Sequence, residues 1–171
     1  REKIELFKRH VYRLGSGNPP LFETEAAIAG AEDKIALAAE IQNGEKIGTT
    51  SDGKLIQLFD KLGGSTIIRE IGRLREITFR AVGEGTGKRR DIDHFDEYYQ
   101  HLVLWDDEAM EIAGAYRFVD AEKIVTQQGT AGLYSGSLFE LDRGKCYFLK
   151  NSLELGRSFV QQTYWGKRCL D

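Results

Sequence analysis

The chain has 171 residues, of which 41% are hydrophobic and two are proline, enough to bury one core of ordinary size. Its 24 basic residues against 27 acidic residues give a formal net charge of −3, which argues against a protein that coats nucleic acid. The two cysteines, Cys146 and Cys169, lack the number and spacing of a disulfide framework or a metal site and indicate a reducing compartment.

The N-terminal stretch, residues 2–14, mixes charged and apolar residues and ends at a Gly- and Pro-rich break, which predicts a short helix or strand followed by a loop. Its charged start is unlike a signal peptide, no run approaches the roughly 20 apolar residues of a membrane span, and no amphipathic membrane helix is evident. The alanine-rich residues 22–41 predict a helix interrupted near Gly30. Residues 1–44 are therefore interpreted as a helical extension or linker.

A β-hairpin and a long helix follow. Residues 45–49 and 54–59 flank an Asp-Gly pair, which favours a tight turn between two strands. Residues 67–82 are apolar at helical spacing behind Ser65, which is placed to cap the helix. This helix carries Arg75 and Phe79.

The loop at residues 83–90 has the glycines of a phosphate-binding loop but not its pattern. Val82 stands where the first glycine of that pattern belongs, Arg89 stands where its hydroxyl residue belongs, and a helix precedes the loop. We therefore predict a mobile surface loop. Its basic residues 88–90 are interpreted as solvated charge, with a docking patch for an acidic carrier protein or an anionic lipid surface as the alternative.

Three further segments have the composition of strands. Residues 101–105 and 111–119 are rich in β-formers and predict central antiparallel strands. Residues 153–160 alternate, which places Glu154, Gly156 and Ser158 on one face and their neighbours on the other. Residues 132–141 and 145–149 give no clear pattern.

Six charged residues lie beside or inside these apolar segments, where a charge needs a partner or a function: Arg75, Asp93, Asp96, Arg117, Glu154 and Arg157. The order Arg-x-x-x-Phe, Asp-x-Phe-Asp, Gly-x-x-Arg, Glu-x-x-Arg resembles the acyl-thioester branch of the GNAT N-acyltransferase superfamily, with its ornithine-lipid N-acyltransferases, their hemolysin-named homologues and the acyl-homoserine-lactone synthases. The resemblance covers about residues 54–171. It implies an α+β fold over residues 45–171, with a mixed, mainly antiparallel GNAT-like sheet flanked by helices and cut short at its C-terminus.

The resemblance also implies an activity. A (3-hydroxy)acyl chain would move from an acyl carrier protein or acyl-CoA thioester to the amine of an amino acid such as ornithine, for aminolipid synthesis in the cytoplasm or at the inner membrane. The thioester is a co-substrate, and neither a tightly bound cofactor nor a metal is expected, since His94 and His101 lack a third ligand. A glycerolipid acyltransferase domain can precede the GNAT-like domain in such proteins.

The resemblance implies a charged cluster at the active cleft, and within it we assign catalysis to Glu154, Arg117 and Arg157. Glu154 would be the general base, its pKa raised in a partly dry cleft, or else a structural partner of Arg117 or Arg157. A bulge at Gly156 would free a backbone N–H to polarise the thioester carbonyl.

The resemblance places the pantetheine arm of the donor against Val160 and the N–H groups around Trp165 and Gly166. Lys167 and Arg168 would supply charge for its phosphate, which favours acyl carrier protein over coenzyme A, although Arg168 stands where a small residue is common.

The acceptor substrate would lie against Arg75, Phe79, Asp93 and Asp96. The two aspartates would either recognise a cationic head group or cap a turn, and the arginines would otherwise be their buried partners.

Two alternatives to an enzyme remain. Arg168 in the pantetheine loop is also consistent with a non-catalytic GNAT-like binding or regulatory module. A membrane-damaging hemolysin is disfavoured because the sequence shows no span and no secretion signal. Since the sheet would otherwise expose an edge, we expect residues beyond Asp171, or a partner chain, to complete it.

Overall fold

The computed structural model describes residues 1–22, 24–141 and 148–166. In chain order its elements are α1 (Glu2–Gly15), α2 (Lys34–Ile41), β1 (Glu45–Thr49), β2 (Leu55–Phe59), α3 (Thr66–Ala81), β3 (Gln100–Asp106), β4 (Glu111–Asp120), α4 (Ala121–Gln128), α5 (Tyr134–Leu138) and β5 (Leu153–Val160). The described strands form one sheet in the order β1-β2-β3-β4-β5, each antiparallel to its neighbours. The α+β class predicted from the sequence is confirmed, with β3 and β4 inside the sheet.

The hairpin and the long helix form where the sequence predicted them. Gly53 adopts a φ of +88° between β1 and β2, the left-handed conformation that the Asp-Gly turn requires. The Ser65 hydroxyl accepts the N–H of Ile68 at 3.1 Å and so caps α3. Glu40 accepts the next two free N–H groups, those of Thr66 and Ile67, both at 3.1 Å.

One face of the sheet packs against α2 and α3 to form the main core. Trp105 and Ile112 are fully buried there against Ile67 and Ile71 of α3. Leu37 and Ile41 of α2 join the same cluster, although they fall within the predicted extension 1–44. The domain boundary at residue 44 stays a prediction, but α2 packs as part of the sheet domain.

The opposite face of the sheet carries a cavity of about 420 Å³. Buried and half-buried apolar side chains line it, among them Ile56, Leu102, Leu104, Tyr116 and Val160. Tyr164 packs beside them and donates its hydroxyl to Asp106 and Glu111 at 3.0 and 2.9 Å.

One sequence prediction is wrong here. Residues 24–33 are not helical, because Ala26 and Ala29 donate their N–H groups to the carbonyls of Gly87 and Arg89 at 2.7 and 3.0 Å. The helix begins only after Asp33, whose side chain caps Ala36. The same pairing gives the surface loop at residues 83–90 two backbone hydrogen bonds, and the mobility of this loop stays a prediction.

A buried carboxylate fixes that loop from the other side. Glu76 of α3 has no exposed surface and accepts the N–H groups of Thr86 and Gly87 at 3.0 and 2.9 Å. Burial alone would raise the pKa of Glu76, but hydrogen bonds from Thr86, Arg80 and Gly87 outweigh it and lower that pKa.

Helix α1 forms where the sequence predicted a short helix or strand, and it is amphipathic. Ile4 and Phe7 are 61% and 64% exposed on its apolar side, and its one buried residue is His10. Among the described residues, no helix combines the length and apolar character that crossing a bilayer requires.

Candidate active site

Two arginine–aspartate pairs lie at one end of the sheet, one fully buried and the other partly exposed at Asp93. Arg75 of α3 donates from Nη1 and Nη2 to the two carboxylate oxygens of Asp96, at 2.9 and 2.7 Å. Arg75 is 1% exposed and Asp96 is 2% exposed. Arg117 of β4 donates in the same bidentate geometry to the two carboxylate oxygens of Asp93, at 2.5 and 2.9 Å. Its Nη1 also lies 3.0 Å from Asp96 Oδ1, so one arginine bridges both aspartates.

The aspartates also build the turn that places them. A 3-10 helix over His94–Glu97 begins with Asp93 accepting the N–H of Phe95 at 3.0 Å, while Asp96 accepts the N–H of Asp93 at 2.9 Å. The capping role that the sequence analysis left open is therefore present. Burial alone would raise the pKa of Asp96, but hydrogen bonds from His101 and Arg75 and the charges of both arginines hold it well below its usual range.

Asp91 and His101 belong to this cluster, and the sequence analysis missed both. Arg75 Nε donates to the Asp91 carbonyl at 3.0 Å, and Arg157 Nη1 lies 3.1 Å from Asp91 Oδ2. Burial raises the pKa of Asp91 in spite of these arginines. His101 Nε2 lies 3.1 Å from Asp96 Oδ1. Asp91 stands two residues before Asp93, which was a usable signal, whereas His101 was considered only as a metal ligand.

Glu154 on β5 has three neutral donors rather than an arginine. Tyr99 donates its hydroxyl to Oε2, which also accepts the N–H of Tyr134 at 2.9 Å, and Oε1 accepts the N–H of Ser135 at 2.8 Å. Burial alone would raise the pKa of Glu154, but hydrogen bonds from Ser135, Tyr99 and Tyr134 lower it overall. The expected rise in pKa is therefore wrong, and so is the expected pairing with Arg117 or Arg157.

Aromatic rings connect Glu154 to the arginines. The Tyr134 ring centre lies 5.6 Å from the guanidinium carbon of Arg117 and 5.7 Å from that of Arg157. Phe79 lies 5.9 Å from Arg157 on the other side. Tyr134 lies in a segment without a clear sequence pattern, so nothing in its surroundings marked it. The structure thus brings all six sequence-predicted charged residues, and Phe79, into one cluster.

β5 contains a bulge beside this cluster. Ala115 pairs with Phe159 and Arg117 with Gly156, so β5 has one residue more than β4 over this interval. Arg157 has a φ of +53°, so the bulge follows Gly156 rather than centring on it. The extra residue resets the alternation, which puts Phe159 on the same face as Glu154 and Gly156. The predicted division of faces is wrong beyond Gly156.

The loop after β5 is folded on itself. Trp165 donates its backbone N–H to Gln162 at 3.1 Å and its indole N–H to Val160 at 2.7 Å. The expectation of a free Trp165 amide is therefore wrong, while Gly166 takes the left-handed φ of +74°. Lys167 and Arg168 lie outside the described residues. Within the described ranges, no group of three or more metal-ligating side chains is present.

A protein-family comparison assigns the second half of the chain. The model of the acetyltransferase (GNAT) domain matches residues 74–171, the part that contains the whole cluster. No solved structure matches the chain.

Characterised relatives extend the comparison. The chain is 37% identical over 153 residues to a glycine N(alpha)-acyltransferase of Phocaeicola vulgatus, which covers 84% of this chain and 46% of the relative. It is 36% identical over 141 residues to a glycine N(alpha)-acyltransferase of Bacteroides thetaiotaomicron, and the match covers 79% of this chain and 42% of the relative. It is 30% identical over 160 residues to an L-ornithine N(alpha)-acyltransferase of Brucella abortus, and the match covers 84% of this chain and 53% of the relative. The chain spans about half the length of these relatives.

Proposed function

The chain belongs to the GNAT acetyltransferase family, and from this premise we propose that it transfers an acyl group from a thioester to the α-amine of an amino acid. The observation that carries the proposal is the joining of six charged residues, spread over the sequence from Arg75 to Arg157, into one cluster beside a bulged strand. The relatives named as N(alpha)-acyltransferases support the same chemistry.

The reaction makes two demands on the site. The amine lone pair attacks the thioester carbonyl carbon, the carbon–sulfur bond breaks, and the proton lost by nitrogen is matched by one gained at the departing sulfur. We assign proton removal to Glu154, which is ionised at neutral pH because its pKa is lowered. Its three hydrogen bonds stabilise the ionised carboxylate, so they also weaken Glu154 as a base.

The bulge and the free edge of β5 suit the donor. A bulge leaves a backbone N–H out of the ladder, and such a group can polarise a carbonyl as in an oxyanion hole. Among the described strands β5 pairs only with β4, so its outer edge can receive an extended pantetheine arm running toward Val160 and Gly166. We propose that Arg157 orients this edge, while the buried Arg75 and Arg117 position the aspartates without touching substrate.

The geometry favours an acceptor amino acid whose side chain is small and uncharged. Asp93 and Asp96 are each held by two guanidinium bonds, so neither keeps a free negative charge for the side-chain ammonium of ornithine. We therefore propose glycine as the acceptor. Ornithine is the second candidate, because one relative is named for it.

The donor is proposed to be a long-chain or 3-hydroxyacyl thioester of acyl carrier protein, with acyl-CoA as the alternative. The argument for the carrier protein is the charge of Lys167 and Arg168, which follow Gly166 in sequence. Use of the product in aminolipid synthesis belongs to the same proposal.

The experiment offers glycine and ornithine to the full-length protein with 3-hydroxyacyl carrier protein or 3-hydroxyacyl-CoA, and detects the acyl-amide by mass spectrometry. We expect acyl-glycine as the main product. Glu154→Gln should lower kcat by about 10²-fold or more, whereas Glu108→Gln, at an exposed turn far along the sheet, should not. Carrier-protein binding without product would favour the non-catalytic module, and full activity of Glu154→Gln would remove Glu154 as the base.

A further inference from the structure

Helix α1 presents an apolar stripe to solvent. Ile4, Phe7, Val11 and Leu14 recur at the three- and four-residue spacing of one helix face and are 61%, 64%, 49% and 46% exposed. Such a face is normally covered in a folded protein, since leaving large apolar side chains in water forgoes their burial. The stripe therefore needs an occupant.

The side of α1 that the protein does cover adjoins one edge of the stripe. His10 is 5% exposed, and its Nδ1 accepts the N–H groups of Leu21 and Phe22, both at 3.2 Å. The Phe22 ring packs on His10 at 4.9 Å and is itself 43% exposed beside the stripe. The following segment thus holds the helix through His10 and leaves the stripe facing outward.

Charge is segregated onto the same helix. Residues 1–15 contain five basic and two acidic residues, a net charge of +3, in a chain whose overall charge is −3. At 100° per residue, Lys3 and Lys8 border the stripe on its two sides. Arg1, Arg9 and Arg13 lie on the remaining surface. The helix is therefore cationic on a protein that is otherwise anionic, which selects for a negatively charged occupant.

We propose that α1 is an interfacial helix that docks the protein onto an anionic lipid bilayer. The stripe enters the boundary between head groups and acyl chains, and the bordering lysines contact the lipid phosphates. A protein groove would suit the stripe equally well, but the lysines on both borders match a continuous anionic plane. The inference goes beyond the proposed acyl transfer and depends on none of its residues.

The test is co-sedimentation of the chain with vesicles of phosphatidylglycerol and phosphatidylcholine, and with vesicles of phosphatidylcholine alone. We expect binding to the anionic vesicles that weakens on the neutral ones and in high salt. Phe7→Ser should weaken it at least about tenfold, since a buried phenyl ring is lost. Tyr12→Ser is the matched control, because Tyr12 is 75% exposed on the polar side, and its loss should change binding less than about twofold.

The charge contribution has its own variant. Lys8→Gln should weaken binding to the anionic vesicles about fivefold and leave binding to neutral vesicles unchanged. Circular dichroism of each variant shows whether the helix is retained. No binding to either vesicle, or equal binding by Phe7→Ser and the parent chain, would overturn the proposal. So would a lipid-free dimer, seen by analytical ultracentrifugation, that Phe7→Ser dissociates. None of these measurements uses a donor or an acceptor, so failure of the proposed activity would leave them intact.

Discussion

At the scale of single residues, Asp96 is the acid on which the buried cluster depends. It receives two bonds from Arg75 and lies within 3.1 Å of both Arg117 and His101. Removing its charge takes from buried Arg75 its two-point partner and leaves Arg117 with Asp93 alone. Asp96→Asn should therefore lower the free energy of unfolding by about 3–5 kcal/mol near neutral pH.

The pH dependence of this loss has a defined sign. The folded pKa of Asp96 lies below that of an unfolded aspartate, so its contribution is fully present above the unfolded pKa and is lost only as pH falls through the lower folded pKa. The difference between the parent and Asp96→Asn should stay constant from neutral pH to about pH 5 and shrink only in stronger acid. Urea unfolding at several pH values measures it, with exposed Asp60→Asn as the control. A difference that already vanishes at pH 5 would contradict the argument.

Tyr99 is a positioning residue for Glu154. Its hydroxyl donates to the carboxylate and accepts the N–H of Tyr134 at 3.0 Å, and this contact is one cause of the lowered pKa of Glu154. In Tyr99→Phe the pKa of Glu154 should rise. If Glu154 removes the proton, the acidic limb of the kcat/KM profile should move to higher pH. The same substitution in a Glu154→Gln background should leave the profile unmoved, and an additive effect there would show that Tyr99 acts elsewhere.

At the scale of elements, α3 approaches the segment before the 3-10 turn without room for a side chain. A Cβ on Gly72 would meet Ile92 Cγ1 at 2.4 Å and the Asp91 carbonyl at 3.2 Å, and that carbonyl is the acceptor of Arg75. Gly72→Ala should cost about 1–3 kcal/mol of stability and loosen the cluster. Gly63→Ala, which meets nothing within 4 Å, is the matched control for thermal unfolding. Equal melting temperatures for the two variants would show that the segment yields freely.

The spacing of apolar residues predicted those helices and strands whose formation depends mainly on residues within or next to the element. The hairpin, α3, β3, β4 and β5 follow from apolar spacing, a Ser65 cap and an Asp-Gly turn, all of which are local signals. The alanines of residues 24–33 favour a helix by propensity, but backbone pairing with residues 87–89 prevents it, and that contact is remote in sequence. The resemblance placed a bulge at Gly156, but its actual position after that residue depends on the register with β4, which is set by contacts remote in sequence.

The candidate site was predictable to the same extent. Ordered motifs identified the six charged residues, since charges beside apolar runs are conspicuous. They did not show that Glu154 faces Tyr99 and two amides rather than an arginine, because the partners come from a segment with no pattern of its own.

At the scale of the whole molecule, the sheet has two unlike faces. One is filled by α2 and α3, and the other carries the apolar cavity beside β5. With α1 exposed as well, two apolar surfaces are open in the described part of a chain that spans about half the length of its relatives. Activity and vesicle binding are therefore best measured on full-length protein and on this chain side by side.

The sequence positions of the buried charges also bear on biosynthesis. Arg75 and Asp96 are close in sequence and are synthesised nearly together. Asp93 pairs with Arg117, and Asp91 pairs with Arg157 on the last described strand, so these partners are synthesised later. A nascent chain halted between these points lacks one of the arginines that pair with these acids in the folded protein, so the cluster cannot close. Closure of the cluster is therefore tied to translation of β5, and until then the emerging half-sheet is a natural client for chaperones.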